Sequence, residues 1–169
     1  IKTQSLLIAE DSLPAVALAG QLEATINVNY ARILEHAISD NAQLMAQRDT
    51  KITKNNEEIS NLIKEFEPLV QGTDDTRLFQ ELQTVRADYR GVMEEVLKLS
   101  RANQSKEALA VVEDKLQPLF NKYKEAAHAL LLANKQAGDE GGKAIIHSVS
   151  SGIQGVTIGV ITAVLVASV

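Results

Sequence analysis

The chain has 169 residues, a formal net charge of -5 and a pI near 5.2, a balance that argues against a nucleic-acid surface. With 3 Phe, 3 Tyr, no Trp and 3 Pro, it lacks the aromatic and turn content of a β-sandwich or barrel, and its abundant Ala, Leu, Val, Glu, Gln, Lys and Asn are helix formers. The absence of Cys excludes disulfides, thiolate zinc sites and Cys nucleophiles, and leaves the compartment open.

In chain order, the first helix is predicted from about Gln4 to Gln47. Its apolar stripe includes Leu22, Ile26, Ile33, Ala37 and Leu44. A break is expected at Gln47–Asp49, where Arg48-Asp49-Thr50 resembles a cap. The second helix carries Ile52, Ile59, Leu62, Ile63, Phe66 and Leu69. A second break falls at Gln71–Asp75, where Gly72 reads as a C-cap glycine and Thr73-Asp74-Asp75 as N-cap residues. The third helix repeats apolar residues at Leu78, Leu82, Val85, Tyr89, Val92, Val96 and Leu99. A third break lies at Arg101–Gln104, with Ser105 as N-cap of the last helix. That helix carries Ala108, Val112, Leu116, Leu119, Tyr123 and Leu130. Pro118 should kink it, and Gly138, Gly141 and Gly142 should loosen it.

Short breaks force antiparallel neighbours. The expected fold is therefore all-α, an up-down-up-down four-helix bundle. From Ala144 to Val169 there is no Asp, Glu, Lys or Arg. The run Ile153 to Val169 is near the lower limit for crossing a bilayer core of roughly 30 Å. It reads as the start of a transmembrane helix, with Ser151, Gly155, Gly159, Ala163 and Ala167 forming a ridge of small residues. Residues 1–143 would be the extracytoplasmic bundle, and 144–169 a juxtamembrane segment entering the membrane. The chain begins at Ile1 without a signal peptide, and both ends read as cut from a longer protein. On these boundaries the first and last helices are long and the middle two short. Leu6, Leu7, Leu13, Val16 and Leu18 then lack a partner helix, which points to a homo-oligomer, a dimer above all.

Several stretches resemble the four-helix-bundle sensory domain of bacterial methyl-accepting chemotaxis proteins, whose familiar members are the aspartate and serine receptors. They are Leu13-Pro14, Asn27 to His36, Tyr89 with Leu97–Leu99, and Gln104 to Leu119 with its Ala-rich start and Gln117-Pro118 pair. The resemblance covers essentially the whole chain. It implies a periplasmic sensor on the bacterial inner membrane. A histidine-kinase sensor, or a structural tether without ligand, would share the architecture.

Catalytic readings find little support. Glu125-Ala-Ala-His128 has the spacing of a di-iron ligand pair, but such a site needs two of these and two further carboxylates. No Ser/His/Asp triad or phosphate-binding loop is present. No enzyme activity, cofactor or metal is expected. Binding residues follow from distance below the tip of the bundle, placed near residues 48 and 103. Asn29, Arg32, His36, Arg86, Tyr89 and Gln117 then share one layer roughly 18–30 Å down. Thr25, Asn29, Arg32 and His36 also share one helix face. Two arginines, a tyrosine and polar neighbours suit a small anionic ligand, a carboxylate. The family resemblance places Arg32 on one ligand-binding arginine position, with His36 and Asn27 where two others would stand. Those two departures from arginine favour organic acids, such as C4 dicarboxylates or citrate-like acids, over amino acids.

Overall fold

The computed structural model describes the backbone of residues 11–167 and the side chains of residues 11–150. Helix α1 spans Leu13–Ala37, α2 Ala42–Phe66 and α3 Gly72–Arg101. A short α4, Ser105–Val111, continues through a π-helical turn, Val112–Leu116, into α5, Gln117–Ala167. The result is an all-α, up-down-up-down bundle whose fourth rod is α4, the π turn and α5 together.

The first turn corrects the expected boundary. The chain leaves α1 at Ile38 and re-enters helix after Asn41, not near Asp49. Asn41 is extended, and its Oδ1 accepts from the N–H groups of Gln43 and Leu44 at 3.0 and 3.1 Å. These are orphan donors of the first helical turn, so the cap stabilises α2 directly. Leu44, expected on the first helix's core stripe, sits beyond the turn and is exposed.

The second connection is built around Pro68. A 3-10 turn, Glu67–Leu69, ends α2, since a proline cannot donate to the helix ladder. Gly72 starts α3 instead of ending α2, with φ of 76°, a conformation that costs glycine little. The third break lies where the sequence indicates. Asn103 has φ of 57°, its N–H donates to Ser100 O, and that of Gln104 donates to Leu99 O. These two bonds close a Schellman motif. Gln104, one residue before the expected Ser105, is the N-cap.

Pro118 acts locally. The Gln117 N–H bonds to Val112 O, five residues back. The wide turn re-pairs the backbone where the following proline cannot donate. The glycines at 138, 141 and 142 leave α5 unbroken, and the helix also runs through residues 143 and 144 without interruption.

Apolar stripes meet along the bundle axis. Leu22, Ile26 and Ile33 of α1, Ile52 and Phe66 of α2, Leu82, Met93 and Val96 of α3, and Leu116 and Leu130 of the fourth rod are almost fully buried. Burial of each such side chain contributes about 1.5–3 kcal/mol. The four rods are not equally close. α1 packs along both α2 and α5 and approaches α3 diagonally, α3 packs on α5, and the backbones of α2 and α3 barely approach each other. Side chains bridge that wide seam: Arg101 to Asp49 near the tip, Arg86 to Ser60 midway, and Phe66 against Phe79 lower down.

Within the described residues α1 and α2 run side by side over matching lengths, 25 residues each. From Leu13 upwards, then, the first helix has the second beside it; the part of the expectation that concerns residues before 11 lies outside the described residues. Leu18 packs against the core and Val16 is half-buried, whereas Leu13 is exposed. Leu6 and Leu7 lie outside the described residues. So do the side chains of the apolar run from 153 to 169 and of its small-residue ridge. Among the described residues no helix is long and apolar enough to cross a membrane.

Candidate functional site

Moving the first turn by several residues splits the expected layer. Arg32 lies much nearer the tip than Arg86, and the seven sequence-predicted residues fall into separate places.

His36 is at the tip, fully buried at the end of α1. Ser100 Oγ is 2.7 Å from the His36 carbonyl and 2.8 Å from its Nδ1. The Ser100 hydroxyl donates to the carbonyl. On the other side of the ring, Nε2 faces Asp49 Oδ1 at 3.3 Å, an ion pair when the imidazole is protonated. Burial pushes the imidazole pKa down; the Asp49 carboxylate opposes this, and Arg101 and Arg48 add to the depression. Burial pushes the Asp49 carboxyl up, but the hydrogen bonds and charge of Arg101, together with His36, outweigh it and hold the group below its usual range. His36 therefore clamps α1 to α3 and is not open to a ligand.

Arg32 projects along the α1–α2 face. Its guanidinium donates to Lys51 O at 3.3 Å and to Asn55 Oδ1. Asn27 is exposed and donates to Glu23 O on its own helix at 2.8 Å. Gln117 is exposed at the π turn. None of these four expected residues reaches a common site.

Asn29, Arg86 and Tyr89 do come together. With Ile26, Asn56, Ile59, Arg90 and Tyr123 they line a cavity midway down the bundle, contributed by α1, α2, α3 and α5. Its volume is about 10 Å³, room for one water. The lining is polar where the bundle elsewhere uses Leu or Ile. Asn29 donates to Asn56 Oδ1 at 2.9 Å, and Asn56 in turn reaches Met93 Sδ. Tyr89 and Tyr123 pack ring against ring, centroids 5.5 Å apart. Asn29 Oδ1, Tyr89 Oη and Tyr123 Oη are buried without a protein hydrogen-bond partner. Such orphans cost about 1–3 kcal/mol each and are rare in native cores. Burial, then the other tyrosine, pushes the Tyr89 hydroxyl well above its usual range. Burial does the same to Tyr123, against the pull of Arg86 and Arg90. Both phenols stay neutral, able to donate.

Arg86 closes the outer side of the cavity. Its Nη2 donates to Ser60 Oγ at 2.6 Å across the seam. Burial, and the like charge of Arg90, lower its pKa. Outside it lies a groove of about 300 Å³ lined by Ile63, Gln83, Arg86, Ala87 and Arg90. The same two arginines thus separate a small inner polar cavity from a larger outer groove.

The sequence reading missed Arg90, Tyr123, Asn56 and Ser60. Tyr123 was visible only as a core-stripe residue, because its position opposite Tyr89 depends on how α3 and α5 register. Arg90 had a legible signal, one turn after Arg86 on the same face. Glu125 and His128 do not gather a metal site: His128 Nδ1 lies 3.1 Å from Glu23 Oε2 at the surface, and no metal-binding cluster occurs among the described residues.

Among the described residues, the bundle thus carries a polar, arginine-walled cavity inside an otherwise apolar core. Residues 1–149 match the four helix bundle sensory module for signal transduction, and the chain belongs to that family, the sensory modules of methyl-accepting chemotaxis proteins. No curated protein matches the chain.

Proposed function

We propose that this sensory module binds a small carboxylate chemoeffector, an organic acid in preference to an amino acid, and passes the signal along its fourth rod. The observation that carries the reading is the polar, arginine-walled cavity inside an otherwise apolar core. A fold selected only as a spacer gains nothing from orphaned hydroxyls and a half-buried guanidinium there, since apolar replacements would be at least as stable. Asn29, Arg86 and Tyr89 are the ligand-side residues, joined by Arg90 and Tyr123.

Tyr123 is on α5, the one helix that runs from the cavity wall to Ala167. A ligand that favours one position of α5 needs a coupling of about 1–3 kcal/mol, which one charge-assisted hydrogen bond made in a single state supplies. In this reading α5 continues into the bacterial inner membrane through the charge-free run after Ala144, and residues 1–143 stand in the periplasm. Assembly as a homodimer is part of the proposal. It is supported by a charge-free exposed stripe on α1, Leu13, Ala17, Ala24, Val28 and Ala31.

The test is a thermal-shift screen of the full chain against organic acids and amino acids. An acid at 100 times its Kd adds about 2.7 kcal/mol of stability. Stabilisation by organic acids is the expected result. No shift with any acid would favour a tether without ligand.

A further inference from the structure

We infer that the ligand is a small dicarboxylate held within a single bundle, in the α2–α3 seam, with one carboxylate on Arg86 and the other on Arg90. The inference rests on the sensory reading of the same cavity and makes it specific.

Size excludes the interior. A cavity of about 10 Å³ takes a water and not an organic acid, whereas the outer groove of about 300 Å³ does. The groove lies where the backbones of α2 and α3 stand apart, so a ligand can enter without unpacking a helix pair.

Charge sets the ligand class. Among the described residues neither Arg86 nor Arg90 has a carboxylate within 4.0 Å, while Arg48, Arg77 and Arg101 each have one. Arg86 is half-buried and held by a neutral hydroxyl, Ser60 Oγ at 2.6 Å. A cation withdrawn from water beside a like charge is unfavourable until an anion joins it. In a chain of net charge -5, two adjacent arginines, one half-buried and one exposed, face the groove without a carboxylate partner. They are four residues apart on α3, about 6 Å along the axis. Two carboxylates on a short carbon chain can meet both forks, and a monocarboxylate satisfies one.

The second observation is the pair of buried phenols behind the arginines. Tyr89 and Tyr123 are each 2% exposed, and their hydroxyls line the inner cavity without a partner. When Arg86 turns from Ser60 to the ligand, groove and cavity become continuous, and the near carboxylate gains neutral O–H donors. Tyr123 then reports occupancy to α5.

The experiment is calorimetric titration of the full chain, in detergent and at fixed ionic strength, with succinate, butyrate and inorganic phosphate. Wild type is compared with Arg90→Gln and Ser60→Ala, each checked for folding by circular dichroism. The expected result is succinate binding at least tenfold tighter than butyrate, with phosphate weaker than succinate. Arg90→Gln brings succinate to within about threefold of butyrate. Ser60→Ala, which frees Arg86, retains succinate binding. Equal binding of succinate and butyrate to wild type, or an unchanged ratio in Arg90→Gln, overturns the dicarboxylate assignment while leaving a carboxylate sensor standing. Phosphate binding as tight as succinate overturns it as well. Failure of every acid, including those of the wider screen, removes the carboxylate-binding reading of the cavity too.

Discussion

Replacing Tyr123 by Phe deletes one oxygen from the most polar spot of the core. At an ordinary buried tyrosine that change breaks a hydrogen bond and destabilises. Here the hydroxyl has no protein partner, and removing an unsatisfied buried group relieves up to about 1–3 kcal/mol of desolvation cost. A single water in the adjoining cavity of about 10 Å³ would offset much of that cost. The net change therefore lies between zero and about 1 kcal/mol of stabilisation, on the same grounds. For a chain of this size that is a rise in Tm of about 0–4 °C. The ring itself stays packed on Tyr89, so Phe leaves no void. Thermal unfolding of wild type, Tyr123→Phe and Tyr89→Phe, followed by circular dichroism without ligand, reads the effect. The same melts with the acid identified in the screen should show a smaller ligand-induced shift in both variants. A loss of Tm of 3 °C or more without ligand would refute the argument, since it would mean that the hydroxyls are satisfied in the resting fold.

Further predictions concern the tip and the fourth rod. Asn41→Ala removes both side-chain caps of α2 and should cost about 1 kcal/mol, a fall in Tm of about 2–4 °C; an unchanged Tm would contradict the cap. His36 is buried with a depressed pKa, so the unfolded chain binds its proton at higher pH than the folded one. Its contribution is complete above pH 6.5 and lost as pH falls towards the folded pKa, with a slope of at most about 1.4 kcal/mol per pH unit. Urea unfolding between pH 7.5 and 5 should show that loss in wild type and a flatter profile in His36→Gln; parallel profiles would refute it. Pro118→Ala restores a donor beside the π turn and should leave ligand affinity within a few-fold, while altering output in a full-length receptor. An unchanged behavioural response would remove the π turn from the signalling path.

How legible this was in the sequence differs by element. The stripes of α2, α3 and the last helix rest on 3.6-residue periodicity, and Ile52, Phe66, Leu82, Val96, Leu116 and Leu130 are all buried. The α1–α2 turn was obscured because apolar residues recur through Ile38 and Leu44 across it. The cluster Ser39-Asp40-Asn41 carried the turn chemistry, with Asn41 as a capping side chain, and the later Arg48-Asp49-Thr50 competed with it. That boundary then carried its error into the site. Depth below the tip is counted from the turn, so misplacing the turn put Arg32 and His36 beside Arg86. Residues on α3, counted from a correctly placed turn, kept their depth, and Arg86 and Tyr89 were retained. Asn29 was found for a different reason: an amide on an apolar stripe is costly unless it has a partner or a task. Arg90 and Tyr123 needed the register of α3 against α2 and α5, which no single-helix pattern contains.

The most direct test of a carboxylate site at Arg86 is calorimetric titration of the best acid from the screen into wild type, Arg86→Gln and Arg32→Gln. A charged hydrogen bond of about 1.5–3 kcal/mol predicts affinity at least tenfold weaker for Arg86→Gln. Arg32, which is bonded to Lys51 and Asn55 away from the cavity, should tolerate its substitution within a few-fold. Wild-type affinity in Arg86→Gln, or a loss confined to Arg32→Gln, would contradict the account and place the ligand on the α1–α2 face.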